Sequence, residues 1–190
     1  MNGKFILSNE ETFTILKEND KFYQEFFKLS FDLELYLKAD YAFLLSKDTQ
    51  ENFSRDVSIF IAVLSYELDK DGRNFMEALE FNEFTFEEID RYFDNSSFID
   101  LIESNKSLRE PDARRTLING MHRRNIVNKN FDDRFSFTQA HRVFVDFAKE
   151  LALKRMAHDG VNANWIMKYE LWSMNFRGGL VEIECEFVKP

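Results

Sequence analysis

Cysteine, proline and glycine are scarce in this 190-residue chain, at one, two and six residues. A lone cysteine, Cys185, cannot close an internal disulfide, and no Cys/His pair sits at zinc-ligand spacing. A disulfide framework and a zinc module are both excluded, and the reducing cytoplasm is the expected compartment. The six glycines never approach a GxxxxGK arrangement, which removes that phosphate cradle. Long apolar runs are missing too. Phe5-Ile6-Leu7 is far too short for a signal peptide, and no later stretch approaches the length of a membrane span. The three histidines, His122, His141 and His158, are too scattered to form a metal cluster.

What is abundant is acid and phenylalanine. The formal charge is −9, with 22 Phe against 6 Tyr and 2 Trp, and the apolar share of 44% supports one or two cored domains. An acidic chain repels phosphate on average, so nucleic acid has to be met by a local basic patch or through a more basic partner. The Phe surplus fits a core and an interface equally well.

Ser8 to Glu11 has the form of a capping box, opening a helix with Phe13 and Leu16 on its stripe. Asp20 is placed to cap a second helix carrying Tyr23, Phe26 and Phe27. From Phe31 the period changes to two, and Leu33, Leu35 and Leu37 followed by Tyr41, Phe43 and Leu45 predict a β-hairpin. Ser54 is the expected cap of a long helix striped by Val57, Phe60, Ile61, Leu64 and Leu68, with Gly72 placed to end it. Three short helices follow, at Phe75 to Phe81 and after the capping patterns Thr85 to Glu88 and Ser97 to Asp100.

Pro111 suits the first turn of a helix reaching about Arg124, with Ala113, Leu117 and Met121 on one side and a polar, mostly basic face on the other. Arg124 falls on the apolar side, as a structural or snorkelling residue. Ile126-Val127, the turn Asp132-Asp133 and the alternation Phe135, Phe137 predict a second hairpin. Thr138 then caps a helix with Ala140, Val143, Phe144, Phe147 and Leu151, expected to run to about His158 before Gly160. Trp165 to Asn175 and Leu180 to Val188 predict a last hairpin, with Cys185 on its apolar side as a structural thiol.

The order helix, helix, helix, hairpin, helix from Thr85 to Met156 is that of a winged-helix domain, whose third helix enters a groove while the hairpin touches backbone. Between Leu101 and Arg142 nine basic residues face five acidic ones, a segment of +4 in an otherwise acidic chain. Arg115, Asn119 and Arg123 on the helix, with Lys129 and Arg134 on the hairpin, form the candidate DNA-binding patch. Composition alone leaves open a solvated helix face or a protein-binding one. No catalytic alternative gathers its residues: Pro111-Asp112 is followed by no Glu-x-Lys strand, and no cofactor motif or metal set is present in the sequence.

Several stretches resemble a known family. Asn2-Gly3-Lys4-Phe5-Ile6, YQEFFKL leading into LELYLKADYAFLL, the helix SIFIAVLSYEL and the long segment LINGMHRRNIVNKNFDDRFSFTQAHRVFVDFAKEL are similar to the E-type accessory subunit of bacterial SMC complexes of the MukBEF, MksBEF and Wadjet type, over roughly residues 1–156. The resemblance implies an α+β, mainly helical fold with tandem winged-helix units, at 1–54 and 55–158. The first of them lacks sequence for a full opening helix, and the C-terminal β-hairpin at 159–190 falls outside the family pattern. It further implies a non-enzymatic, cytoplasmic, nucleoid-associated subunit without cofactors and without membrane contact. The implied partners are a kleisin subunit and an SMC ATPase, DNA without sequence specificity, and a second copy in a homodimer. Chromosome organisation and plasmid defence both remain open as its setting. A stand-alone winged-helix regulator and a phage or defence protein-interaction module are the competing readings.

Overall fold

The computed structural model describes residues 4–46, 52–131 and 133–146, all within the compact unit Met1–Ala148. The fold is α+β and mainly helical, and among the described residues the strands form two small antiparallel sheets. In the first, β1 (Ile6–Leu7) leads into α1 (Glu11–Glu18) and α2 (Asp20–Phe31), followed by the hairpin β2 (Leu33–Leu37) and β3 (Tyr41–Ser46). The strand order is β1-β3-β2, with Leu7 opposite Tyr41 and Leu35 opposite Leu44. Phe13, Leu16, Leu35 and Ala42 form its small core, and Tyr23 and Phe27 pack on it from α2.

The second part repeats the plan at larger scale. The long α3 (Asn52–Lys70) and short α4 (Phe75–Phe81) precede β4 (Glu83–Thr85), after which come α5 (Phe86–Asp94), α6 (Ile99–Ser104) and α7 (Pro111–Arg123). The hairpin β5 (Val127–Phe131) and β6 (Arg134–Phe137) completes a sheet ordered β4-β6-β5, with Phe84 opposite Phe135. Residues 141–146 are helical. The expected continuation of that helix, and the hairpin predicted at Trp165 to Val188, lie outside the described residues.

The α3 stripe is buried as its periodicity requires, at Val57, Phe60, Ile61, Leu64 and Leu68. Gly72 ends the helix at φ +73, with the Arg73 amide donating back to the Leu68 carbonyl, a C-terminal turn that favours glycine. Two acidic side chains on α3 fix both ends of α6. Asp56 accepts from Asn105 and Ser107, at 3.0 and 2.7 Å, while Glu67 accepts from the Ser96 hydroxyl and the Ser97 amide, at 2.7 and 3.2 Å.

Between α5 and α7 lies the most demanding polar contact. The Arg114 guanidinium is 1% exposed and uses all three nitrogens, donating from Nε to Asp90 at 2.8 Å, from Nη2 to Asp94 at 2.9 Å and from Nη1 to the Leu108 carbonyl at 2.9 Å. A buried charge is tolerated only when paired and hydrogen-bonded in this way. The two halves of the described chain are tied at Asn125, which ends α7 in a left-handed conformation at φ 60. Its side-chain Nδ2 donates to the Phe5 carbonyl and to Glu10, and the Phe5 backbone amide donates to the Arg124 carbonyl. Arg142 adds a second tie, donating to Asp40 in the β2–β3 turn at 2.6 Å and to Glu80 of α4 at 2.7 Å.

Several predicted caps are corrected. Helix α1 starts after Glu10, not after Ser8, because the Glu10 carboxylate takes the Leu7 amide and Asn125, while the Ser8 amide donates to the Asp40 carbonyl. Helix α2 is preceded by Asn19, whose side chain donates back to Ile15, so Asp20 is its first residue. Ser54 lies inside α3. At α6 the position before the helix is Phe98; Ser96 accepts its amide and Ser97 is drawn to Glu67. Thr85 does cap α5, accepting from the Glu88 amide at 3.0 Å, but the Glu88 side chain pairs with Arg73 instead of closing the box.

Replacing Arg114 by Ala leaves Asp90 and Asp94 without their cation and a buried carbonyl without its donor. The expected loss is about 3 kcal/mol of unfolding free energy in a urea titration. A loss below about 1 kcal/mol would contradict the role given to this contact.

Candidate functional site

Helix α7 buries Leu117, Ile118 and Met121 and turns Arg115, Asn119, His122 and Arg123 outward. Its close seating depends on Gly120, where a Cβ would stand 2.8 Å from the Phe53 ring of α3. Arg124 lies over the same ring at 3.8 Å, in the structural role read from the helical wheel. Ala113 is half-buried, whereas its neighbour Arg114 is fully buried beside the apolar side of the helix.

The β5–β6 hairpin stands beside the outward face and is joined to it twice. Lys129 Nζ donates to Asn119 Oδ1 at 3.1 Å, and His122 Nδ1 lies 3.2 Å from the Val127 carbonyl, to which it donates. Asn119, His122, Arg123, Lys129, Asn130 and Phe131 line a shallow cavity of about 450 Å³ between helix and hairpin. Three of the five predicted residues, Asn119, Arg123 and Lys129, meet there. Arg115 and Arg134 do not.

Arg115 sits a turn earlier on α7, paired with Asp112 at 2.9 Å and near Asp90 at 3.7 Å. Arg134 projects from β6, paired with Glu83 at 3.4 Å and with Asp133 at 3.9 Å. Asn130 also donates to Glu83, at 2.5 Å, and this hydrogen bond with Arg134 behind it holds the Glu83 carboxyl below the usual carboxylate range. Arg123 and Lys129 have no carboxylate partner among the described residues.

The charge of the segment is therefore smaller in effect than its composition. Arg114 and Arg142, both counted in the +4, are matched by Asp90, Asp94, Glu80 and Asp40, all from outside the window. Residue counting along the chain cannot see partners that far apart in sequence. It also passed over Phe86, the first residue of α5, whose half-buried ring lies 5.8 Å from the Arg115 guanidinium and 5.7 Å from Lys129 Nζ. Phe131 was missed as well; it is 67% exposed at the hairpin end.

Among the described residues no group of His, Cys, Asp and Glu is placed to hold a metal ion, and no helix is long and apolar enough to cross a membrane. Replacing Glu83 by Ala should release Arg134 and Asn130 toward solvent. Later elution from a heparin column in a salt gradient is the expected result, with one more effective cation seen as a salt slope steeper by about 1; unchanged or earlier elution would contradict the pairing.

The model of the family described as condensin complex protein MksE matches residues 1–149 of the chain. No curated protein matches it.

Proposed function

The chain belongs to the MksE family of condensin complex proteins, and from that premise we propose that it is a non-catalytic accessory subunit, held by a kleisin on an SMC ATPase, that meets DNA through α7 and the β5–β6 hairpin. The observation that carries the DNA contact is the pair Arg123 and Lys129. They converge from helix and hairpin on one groove, and neither has a carboxylate partner among the described residues. Contacts of this kind position a protein on the backbone without reading sequence, which suits a subunit that follows DNA wherever the complex moves.

The topology of the described residues is compatible with two winged-helix units, the second opening with α3, so that the boundary expected at 54/55 moves to before Asn52. Each part contains a short strand, helices and a hairpin, and in each sheet the first strand lies against the last. In the second unit α7 occupies the place of a groove-entering helix and β5–β6 that of the wing.

The first unit supports a homodimer. No residue of α2 is fully buried, and Phe22, Phe26, Leu29 and Phe31 are 63, 42, 85 and 52% exposed. Lys21 and Glu25 lie among them, so the face carries both signs and can pair with its own copy about a two-fold axis. Aromatic anchors of this kind dominate protein interfaces.

Two measurements test the proposal. Changing Arg115, Arg123, Lys129 and Arg134 to Glu in the assembled complex should lower duplex affinity at least about tenfold and flatten its salt dependence, with the complex still assembled and cooperatively folded. An unaltered gel-shift titration would remove the patch. In sedimentation, the chain should be a dimer and F22E/L29E a monomer; a dimeric variant would remove α2 from the interface.

A further inference from the structure

The cavity between α7 and the hairpin is more varied chemically than a phosphate track requires. Asn119 commits Oδ1 to Lys129, which leaves its Nδ2 to donate. Asn130 commits Nδ2 to Glu83, which leaves its Oδ1 to accept. His122 commits Nδ1 to the Val127 carbonyl, which leaves Nε2. Together they offer the donor and acceptor pattern suited to the edge of a nucleobase, beside the cations Arg123 and Lys129.

The hairpin is irregular at the same place. Lys129 pairs with Phe135 and Phe131 with Arg134, so Asn130 is an extra residue bulged from β5. In a regular strand Asn130 would point away from its two neighbours. The bulge brings Lys129, Asn130 and Phe131 to one groove, which is what bulges beside binding sites do. The exposed Phe131 ring then bounds a cavity whose size falls in the range of sites for one small ligand. Beyond it Arg134 lies between two carboxylates, Asp133 and Glu83, so the tip offers a continuous run of phosphates only a partly neutralised cation.

We propose that this groove holds a single unpaired nucleotide of a DNA strand, its base stacked on Phe131 and its edge met by Asn119, His122 and Asn130, with Arg123 and Lys129 on the flanking phosphates. The inference rests on the DNA-contacting reading above and adds a preference to it, for opened or distorted DNA over continuous duplex. A free nucleotide carries the same chemistry, so the test separates the two sources.

The full chain, assembled with its kleisin and SMC ATPase, is titrated by fluorescence anisotropy with a duplex, with the same duplex carrying a short unpaired bubble, and with the bubble plus excess free dAMP. The wild type should bind the bubble more tightly, and dAMP should compete poorly. F131A should weaken bubble binding about tenfold or more while leaving duplex binding within about twofold, and F131W should restore it. If F131A weakens both DNAs equally, the ring is a wedge in duplex and the proposal fails. If F131A weakens neither, the proposal fails while the DNA-contacting reading stands. If dAMP abolishes the preference, the site belongs to free nucleotide and the proposal is again overturned. If the wild type and R123E/K129E bind both DNAs equally weakly, both readings fall together.

Discussion

The buried guanidinium of Arg114 is the contact on which the geometry of the exposed face depends. Desolvating a cation costs several kcal/mol, and the combined acceptance of Asp90, Asp94 and the Leu108 carbonyl, with a longer bond to the Arg109 carbonyl, offsets it. Those acceptors lie on α5 and on the approach to α7, so the charge is satisfied in one arrangement of the two helices and in no neighbouring one. A hydrophobic contact would tolerate sliding; a three-way fork does not. With α5 and α7 fixed, Phe86 is placed beside Arg115 and Lys129, and β4 is held in the sheet that carries the hairpin.

The same logic of satisfied charge explains how an acidic chain leaves an uncompensated basic spot. Several of its arginines serve to join elements: Arg73 joins the end of α3 to α5, Arg142 joins the β2–β3 turn to α4, and Arg124 covers Phe53. What is left for a polyanion is narrow, chiefly Arg123 and Lys129, with Arg115 and Arg134 at the margins under partial neutralisation. Under the proposed reading such a surface would hold DNA loosely, in keeping with an accessory role in a larger complex, and the net charge of −9 discourages polyanion contact elsewhere.

Periodicity made the long elements legible. The stripe of α3, the polar face of α7 with Pro111 at its first turn, and both hairpins were readable because each repeats its pattern over enough residues to fix a period. The strands β1 and β4 were not, since two or three residues carry no period, and both exist because a completed hairpin offers them an edge. The serine caps failed for a related reason. Ser8, Ser54 and Ser97 have the right local pattern, but α3 begins earlier, at Asn52, and Glu10 and Glu67 decide the other two through contacts 115 and 30 residues away in sequence. In the site, Asn119, Arg123 and Lys129 were found from the helical wheel and the hairpin. The burial of Arg114 and the exposure of Phe131 were beyond reach, because the first is set by Asp90 and Asp94 and the second by a bulge.

The central claim is that the α7 face, in the assembled complex, is where this subunit touches DNA. Its most direct test places a photoreactive residue at Thr116, one turn before Asn119 on the exposed side of α7, and in a separate variant at Lys21 on α2. With the SMC ATPase, the kleisin and DNA present, the account predicts a DNA adduct from position 116 and none from position 21. An adduct from position 21 alone, or from neither position, would contradict it.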